Sequence, residues 1–178
     1  VGVFALVGSS TMKEERYADN LRFFRTSEKV FESSEPIYYP DDEVTLRLIS
    51  YYPYQEEGVN MGESTMSVAV ETDQNLSAGY FCSDFLVASQ NLQSAPKGAI
   101  ALHYDHKFFK LKIALVGKEG EELQGILDAD PKLSVCGFYT KAIYDFQKET
   151  YSAFSNEKSI TPAGKWEIQG DRLSGKEV

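Results

Sequence analysis

Cysteine is nearly absent from this chain, with only Cys82 and Cys136 in 178 residues. Two thiols are too few for a disulfide framework, and their separation of about fifty residues fits no zinc pattern. The residues leave one bridge or two free thiols open, and the apolar and aromatic neighbours of each favour buried free thiols acting as small hydrophobes. No apolar run approaches the ~18 residues that a membrane-spanning helix needs, and no charged start leads into an apolar signal core. Basic charge is also short. With 18 basic against 27 acidic residues the formal net charge is -9, which repels a phosphate backbone and excludes nucleic acid and anionic membrane surfaces as partners. The local basic clusters, Arg22 to Arg25 and Lys107, Lys110 and Lys112, alternate with aromatic or aliphatic residues, as on a solvated strand face.

Catalytic signatures are missing as well. The chain has no hydrolase elbow, phosphate loop or dinucleotide fingerprint, and only two histidines. In His103-Tyr104-Asp105-His106, a strand places His103 and Asp105 on one face and His106 on the other. That is fewer than the three ligands a catalytic zinc requires. His106 continues the side of Leu102, Tyr104 and Phe108 and is expected as a hydrogen-bonded core or edge histidine, with His103 at the surface. Neither cysteine is tied to a base by any motif. The carboxylate runs Asp41-Asp42-Glu43, Glu56-Glu57 and Glu121-Glu122 lack the oxygen-ligand spacing of a helix-loop-helix calcium site. No metal, cofactor or catalytic residue is expected, and the chain reads as a non-enzyme.

What is present is the grammar of sheets. At 178 residues and 20.0 kDa, 42% hydrophobic and 13% aromatic, the chain reads as one domain able to bury roughly 70% of its unfolded surface. Val1 to Val7 is a buried strand. It begins abruptly and without an initiator Met, as a fragment or processed form would. Val44, Leu46, Leu48, Tyr52 and Tyr54 fall on one side of a period-two pattern broken only by Ser50, so this segment reads as a strand with one buried face, and Pro40 and Pro53 mark strand ends or an edge. Pro40-Asp41-Asp42-Glu43 is a turn cluster. Met66, Val68 and Val70 alternate with polar or small residues.

Ala99 to Leu115 reads as a strand pair or one long bulged strand. Leu102, Tyr104, His106 and Phe108 keep one parity and Leu111, Ile113 and Leu115 the other, so a residue is inserted near Phe109-Lys110. Leu133 to Phe138 and Ala142 to Phe146 are short strands, and Gly170-Asp171 suits a type II′ hairpin. Helical periodicity is weak, with a turn or two available at Asp19 to Val30 and Glu121 to Leu127. The architecture expected is an all-β Greek-key sandwich of about seven or more strands.

Five segments resemble, in order, the fimbrillin family of Bacteroidales-type surface fimbriae. Val1-Gly2-Val3-Phe4-Ala5 resembles its opening strand. Ile37-Tyr38-Tyr39-Pro40 with Ile49 to Pro53-Tyr54 is similar to its paired Tyr-Tyr-Pro element, Ser83 to Ala88 to its "Ser-Asp-Leu-Leu" segment, and Leu102 to Leu111 and Gly137 to Phe146 to two later strands. Phe108-Phe109 departs from the family's preference for Leu followed by a small residue. On this resemblance Tyr38, Tyr39, Pro40, Tyr51, Tyr52, Pro53, Tyr54, His106, Lys110 and Leu111 are structural signature residues.

The resemblance implies a transthyretin-like sandwich, the first of two domains in an exported lipoprotein that works at the cell surface, outer membrane or fimbrium. It also implies partners of the same kind: other fimbrial subunits bound by strand donation, in which a groove vacated by proteolysis takes a strand from the next subunit. Host protein or glycan ligands are further expected partners, and membrane contact comes only through a lipid anchor outside these residues. The competing reading is a glycan-binding module that stacks sugars on Tyr38, Tyr39, Tyr51 or Tyr54.

Overall fold

A computed structural model describes residues 1–27, 30–40 and 44–178. The expected Pro40-Asp41-Asp42-Glu43 turn, with its carboxylate run, lies outside the described residues. In chain order the strands are β1 (Gly2–Val7), β2 (Ala18–Arg22), β3 (Phe24–Arg25), β4 (Phe31–Glu32), β5 (Leu46–Tyr52), β6 (Thr65–Ala69), β7 (Leu86–Leu92), β8 (Asp105–His106), β9 (Lys112–Val116), β10 (Tyr139–Asp145), β11 (Thr150–Glu157), β12 (Glu167–Gln169) and β13 (Arg172–Glu177). Two helices, α1 (Ser77–Cys82) and α2 (Leu123–Asp128), complete the elements. The all-β expectation holds.

The chain divides into two compact units. Unit one comprises Val1–Val68, Asp84–Phe108 and Ile143–Ser152, and unit two comprises Ala69–Ser83, Phe109–Ala142 and Ala153–Val178. Strands β6, β10 and β11 form a three-stranded sheet in the order β11-β10-β6.

Unit one is built on a five-stranded sheet in the order β2-β1-β5-β7-β8, with every neighbouring pair antiparallel. Strand β5 is central, and this corrects the reading of a single wet face. Leu46, Leu48, Ile49, Ser50 and Tyr51 are all buried, whereas Tyr52 is only half-buried. A strand flanked on both edges and covered on both faces does not alternate, so the period-two pattern named the wrong tyrosine as the anchor. One face packs Ala5, Ala18, Leu46 and Leu48 against Val7, Leu21, Ile37 and Tyr39. The other carries an aromatic cluster, with Phe4 stacked on Tyr51 at 5.8 Å and Phe85 and Phe146 set edge-on to Tyr144 at 5.0 and 5.2 Å. Each such ring, fully buried, contributes about 1.5–3 kcal/mol through burial alone, and offset or edge-on pairs add to that.

Several local expectations give way. The described residues of Asp19 to Val30 are not helical: they hold most of β2 and all of β3, because Val3 and Gly2 offer Leu21 and Arg22 a ladder that outweighs weak helical propensity. Ala99 to Leu115 is not one strand. It holds only β8 and β9, in different sheets, and the parity break near Phe109 marks where the chain leaves unit one after Phe108 for unit two. Leu133 to Phe138 contributes one isolated bridge, Val135 to Ile160, instead of a strand.

Unit two has a three-stranded antiparallel sheet in the order β12-β13-β9. The expected hairpin is present: Gln169 pairs with Arg172, and Gly170 has a φ of 65°, as a type II′ turn demands. Cys82 and Cys136 are exposed free thiols, which corrects the buried reading. Cys82 ends α1, a helix with no buried residue, and Cys136 lies beside the isolated bridge with its Sγ 3.1 Å from Ser159 Oγ. Their apolar sequence neighbours do not cover them.

Candidate functional site

The signature tyrosines are not gathered into one surface. Tyr51 is fully buried, and its hydroxyl donates to Asn20 Oδ1 at 2.6 Å. Burial pushes its phenol up to about 12, against the lowering influence of its contacts with Gln55 and Asn20. Tyr39 is half-buried, with its hydroxyl against the carbonyls of Val44 and Leu92. Tyr54 sits under the Arg22 guanidinium, 5.2 Å from the ring centroid, and Tyr38 is 72% exposed. Pro53 follows a cis peptide bond directly after β5, and Pro40 precedes the undescribed stretch. The sugar-platform reading therefore loses Tyr51 to the core and the hydroxyl of Tyr39 to backbone carbonyls.

His106 lies on the edge strand β8 with its ring exposed, and its Nδ1 is 2.7 Å from Asp84 Oδ1. This is an edge histidine and not a core one. No nucleophile adjoins it among the contacts of the described residues, and these hold no cluster of three or more His, Cys, Asp or Glu able to bind a metal ion. Lys110 and Leu111 fall in unit two, just before β9. Lys110 Nζ lies 2.7 Å from Glu177 Oε1, to which the Tyr80 hydroxyl donates at 2.6 Å, and the same ammonium stands over the Tyr80 ring at 5.4 Å. These donors hold the Glu177 carboxyl below its usual range, first through Lys110 and then Tyr80. Leu111 exchanges both backbone bonds with Val178, at 2.8 and 2.9 Å, and so extends the β9–β13 ladder.

That ladder sets the parity of β9. Because Leu111 faces Val178, alternate residues Ile113 and Leu115 direct their amides and carbonyls toward β13, while Lys112, Ala114 and Val116 direct theirs outward. The outward groups have no partner among the described residues, and β9 ends its sheet. An edge of this kind is a template for another strand.

Unit two buries few apolar side chains. Within unit two the buried apolar side chains are Ala142, Ile160, Ala163, Trp166 and Leu173, with Pro162 beside them. Leu76, Phe81, Phe109, Val116, Phe138 and Ile168 are exposed, Val116 by 68%. Ile113 and Leu115 on β9 are only half-buried, and α2 contains no buried residue. Unit one, by contrast, closes both faces of β5. Strand β9 thus combines an unpaired edge with half-covered apolar side chains at Ile113 and Leu115. Sequence reading missed this edge because Lys112 to Val116 alternates like any strand, and its lack of a neighbour is a property of topology.

A sequence model of the fimbrillin-like family matches residues 1–178. Among solved structures, a candidate cell adhesion protein from Bacteroides uniformis ATCC 8492 is similar over 98% of this chain and 66% of its own, with a TM-score of 0.64 and 19% identity. Another, from Bacteroides ovatus ATCC 8483, is similar over 99% and 66%, with a TM-score of 0.62 and 12% identity. The chain thus spans 66% of the length of each of these structures, and at such identities the likeness is one of fold. No curated protein matches the chain in sequence.

Proposed function

The chain belongs to the fimbrillin-like family, and from that membership we propose that it is a non-enzymatic subunit of cell-surface fimbriae that joins neighbouring subunits by strand donation. Its adhesive role draws support from the candidate adhesion proteins that share its fold. The acceptor is the outer edge of β9. A donated strand pairs with the outward groups of Lys112, Ala114 and Val116 and covers apolar side chains of unit two. These residues form the first domain of a longer two-domain protein, a reading supported by the greater length of the solved structures.

The single observation that carries the proposal is the open β9 edge beside half-covered Ile113 and Leu115. Amide hydrogen exchange compared between the monomeric subunit and assembled fimbriae tests it. The amides of Lys112, Ala114 and Val116 should exchange freely in the monomer and become protected on assembly. Equal exchange in both forms would exclude β9 as the acceptor.

A further inference from the structure

Strand β7 in unit one is only half covered along its outer edge. The Lys107 amide donates to the Phe85 carbonyl at 2.8 Å, and Leu86 and Val87 pair with His106 and Asp105. In an antiparallel ladder this parity sends the backbone groups of Phe85, Val87, Ser89 and Asn91 toward β8, and those of Leu86, Ala88, Gln90 and Leu92 toward β5. The β8 pairing ends at Leu86 and Val87. The amides and carbonyls of Ser89 and Asn91 therefore point past the end of β8, with no partner among the described residues.

The return path of the chain keeps this stretch open. Residues 93–104 form no strand, and the chain rejoins the sheet only at Asp105. Just before that point the Tyr104 hydroxyl lies 2.6 Å from Ser50 Oγ, which donates to the Gly2 carbonyl at 3.0 Å, so the returning end is pinned to the sheet. Between this bow and the strand lies an open cleft of about 510 Å³, lined among others by Ser89, Gln90, Leu92, Pro96, Ile100 and His103.

The chemistry of the cleft selects its occupant. Donor and acceptor groups two residues apart on a strand repeat every ~7 Å, the spacing of another extended backbone and not of a sugar or a helix. Leu92, Pro96 and Ile100 offer apolar contact to alternate side chains. None of the lining residues is acidic, although the chain carries a net charge of -9. Arg47 adjoins the cleft, its Nε donating to Ser89 Oγ at 3.2 Å and its remaining guanidinium donors turned to no described acceptor.

We propose that this cleft binds an extended peptide that adds to the Ser89–Asn91 edge of β7 as a further strand, with alternate apolar side chains facing Leu92 and Ile100 and a carboxylate beside Arg47. The site lies wholly within unit one and does not depend on the β9 acceptor.

The probe is a blocked hexapeptide of alternating valine and threonine with one central glutamate, offered to the full chain at about 1 mM, since single added strands bind weakly. Amide exchange at Ser89 and Asn91 should slow at least about tenfold, and that at Lys112, Ala114 and Val116 should not change. A peptide N-methylated along its pairing edge should fail to bind, and one with lysine for glutamate should bind about fivefold more weakly. Asn91→Pro removes an outward amide without touching the β5 ladder and should abolish binding. Ala99→Trp, at an exposed position on the cleft wall, should do the same by filling it. If the proline variant fails to fold, the tryptophan variant decides. Binding without protection of Ser89 and Asn91, equal binding of the N-methylated peptide, protection confined to β9, undiminished binding by Ala99→Trp, or no binding at all would each overturn the proposal.

Discussion

The hydroxyl of Tyr51 donates to Asn20 Oδ1 at 2.6 Å, and the same asparagine donates through Nδ2 to the Gln55 carbonyl at 2.9 Å. Asn20 has a φ of 49°, in the left-handed region where its short polar side chain is better tolerated than most. One residue on β2 therefore fixes the far end of β5 and the turn beyond Pro53. The Tyr51 ring also lies where a Cβ on Gly2 would stand, 2.2 Å from Tyr51 Cε1, which explains why that position of β1 carries no side chain.

Tyr51→Phe should cost about 1–2 kcal/mol, since it keeps the ring stacked on Phe4 but leaves buried acceptors short of a donor. Its pH dependence is distinctive. Burial raises the phenol from 10.0 to about 12 in the folded chain, so the unfolded chain loses its proton first. The contribution is complete below pH 10 and is lost as pH rises toward 12. Tyr144, also pushed up to about 12 by burial, acts in the same window. Melting temperatures measured from pH 8 to 12 should fall steeply above 10, and less steeply in Tyr51→Phe. An identical alkaline slope in the variant would refute the assignment.

Among the described residues Arg16 is the most buried cation, and it holds a loop by its backbone. Its guanidinium donates to the carbonyls of Met12, Val59, Asn60 and Glu63 and to Asp19 Oδ1, and it stands 5.2 Å from the centroid of the Phe4 ring. A lysine cannot reproduce that fork. Arg16→Lys should destabilise by about 2–4 kcal/mol in chemical denaturation despite keeping the charge, because several buried carbonyls lose their donors. A loss under about 0.5 kcal/mol would show that the loop does not need the fork.

Much of the fold is legible in the sequence because its strands announce themselves by local pattern: Val1 to Val7, Met66 with Val68, and the Gly170-Asp171 turn. Strand β11 escapes that reading, since Thr150 to Glu157 is almost wholly exposed and contains Ala153 and Asn156 at positive φ. Burial of both faces hid the role of Tyr51, which only the two neighbours of β5 explain. The candidate site was less legible still. Whether Lys112, Ala114, Val116, Ser89 or Asn91 has a partner depends on which distant strand lies alongside, and no local residue pattern records that. The signature residues Lys110 and Leu111 stand just before β9, and their sequence pattern does not record that its outer edge is open.

Two glycines should respond to the same substitution with opposite signs. Gly175 lies at the register shift of β13 with a φ of 104°, and a Cβ there would stand 2.2 Å from the Lys165 carbonyl oxygen. Because the opposing atom is backbone, Gly175→Ala should cost about 3 kcal/mol or more. Gly125, inside α2, would place a Cβ in open space. Gly125→Ala should stabilise by about 0.5–1 kcal/mol through helix propensity. Denaturant titrations of both variants read the difference directly, and equal effects would contradict the backbone geometry.

Glu177 joins the C-terminal strand to the segment that leads into β9, and its titration should expose that link. Held by Lys110 first and by Tyr80 second, its carboxyl ionises below the ordinary 4.5. A depressed folded pKa gives stability that is present above the unfolded value and is lost as pH falls through the folded one. Solvent reaches both Lys110 and Glu177, so the pair contributes only about 0.2–1 kcal/mol, too little to unfold the chain. The effect should instead be local. Below pH 4 the amide of Leu111 should exchange faster than that of Phe4 in the core of unit one, since its bond to Val178 adjoins the loosened contact. Lys110→Ala should raise the Glu177 midpoint in an NMR titration and bring the same fraying at neutral pH. An unmoved midpoint would show that Lys110 does not hold the carboxylate, and β9 would then owe its placement to the ladder with β13 alone.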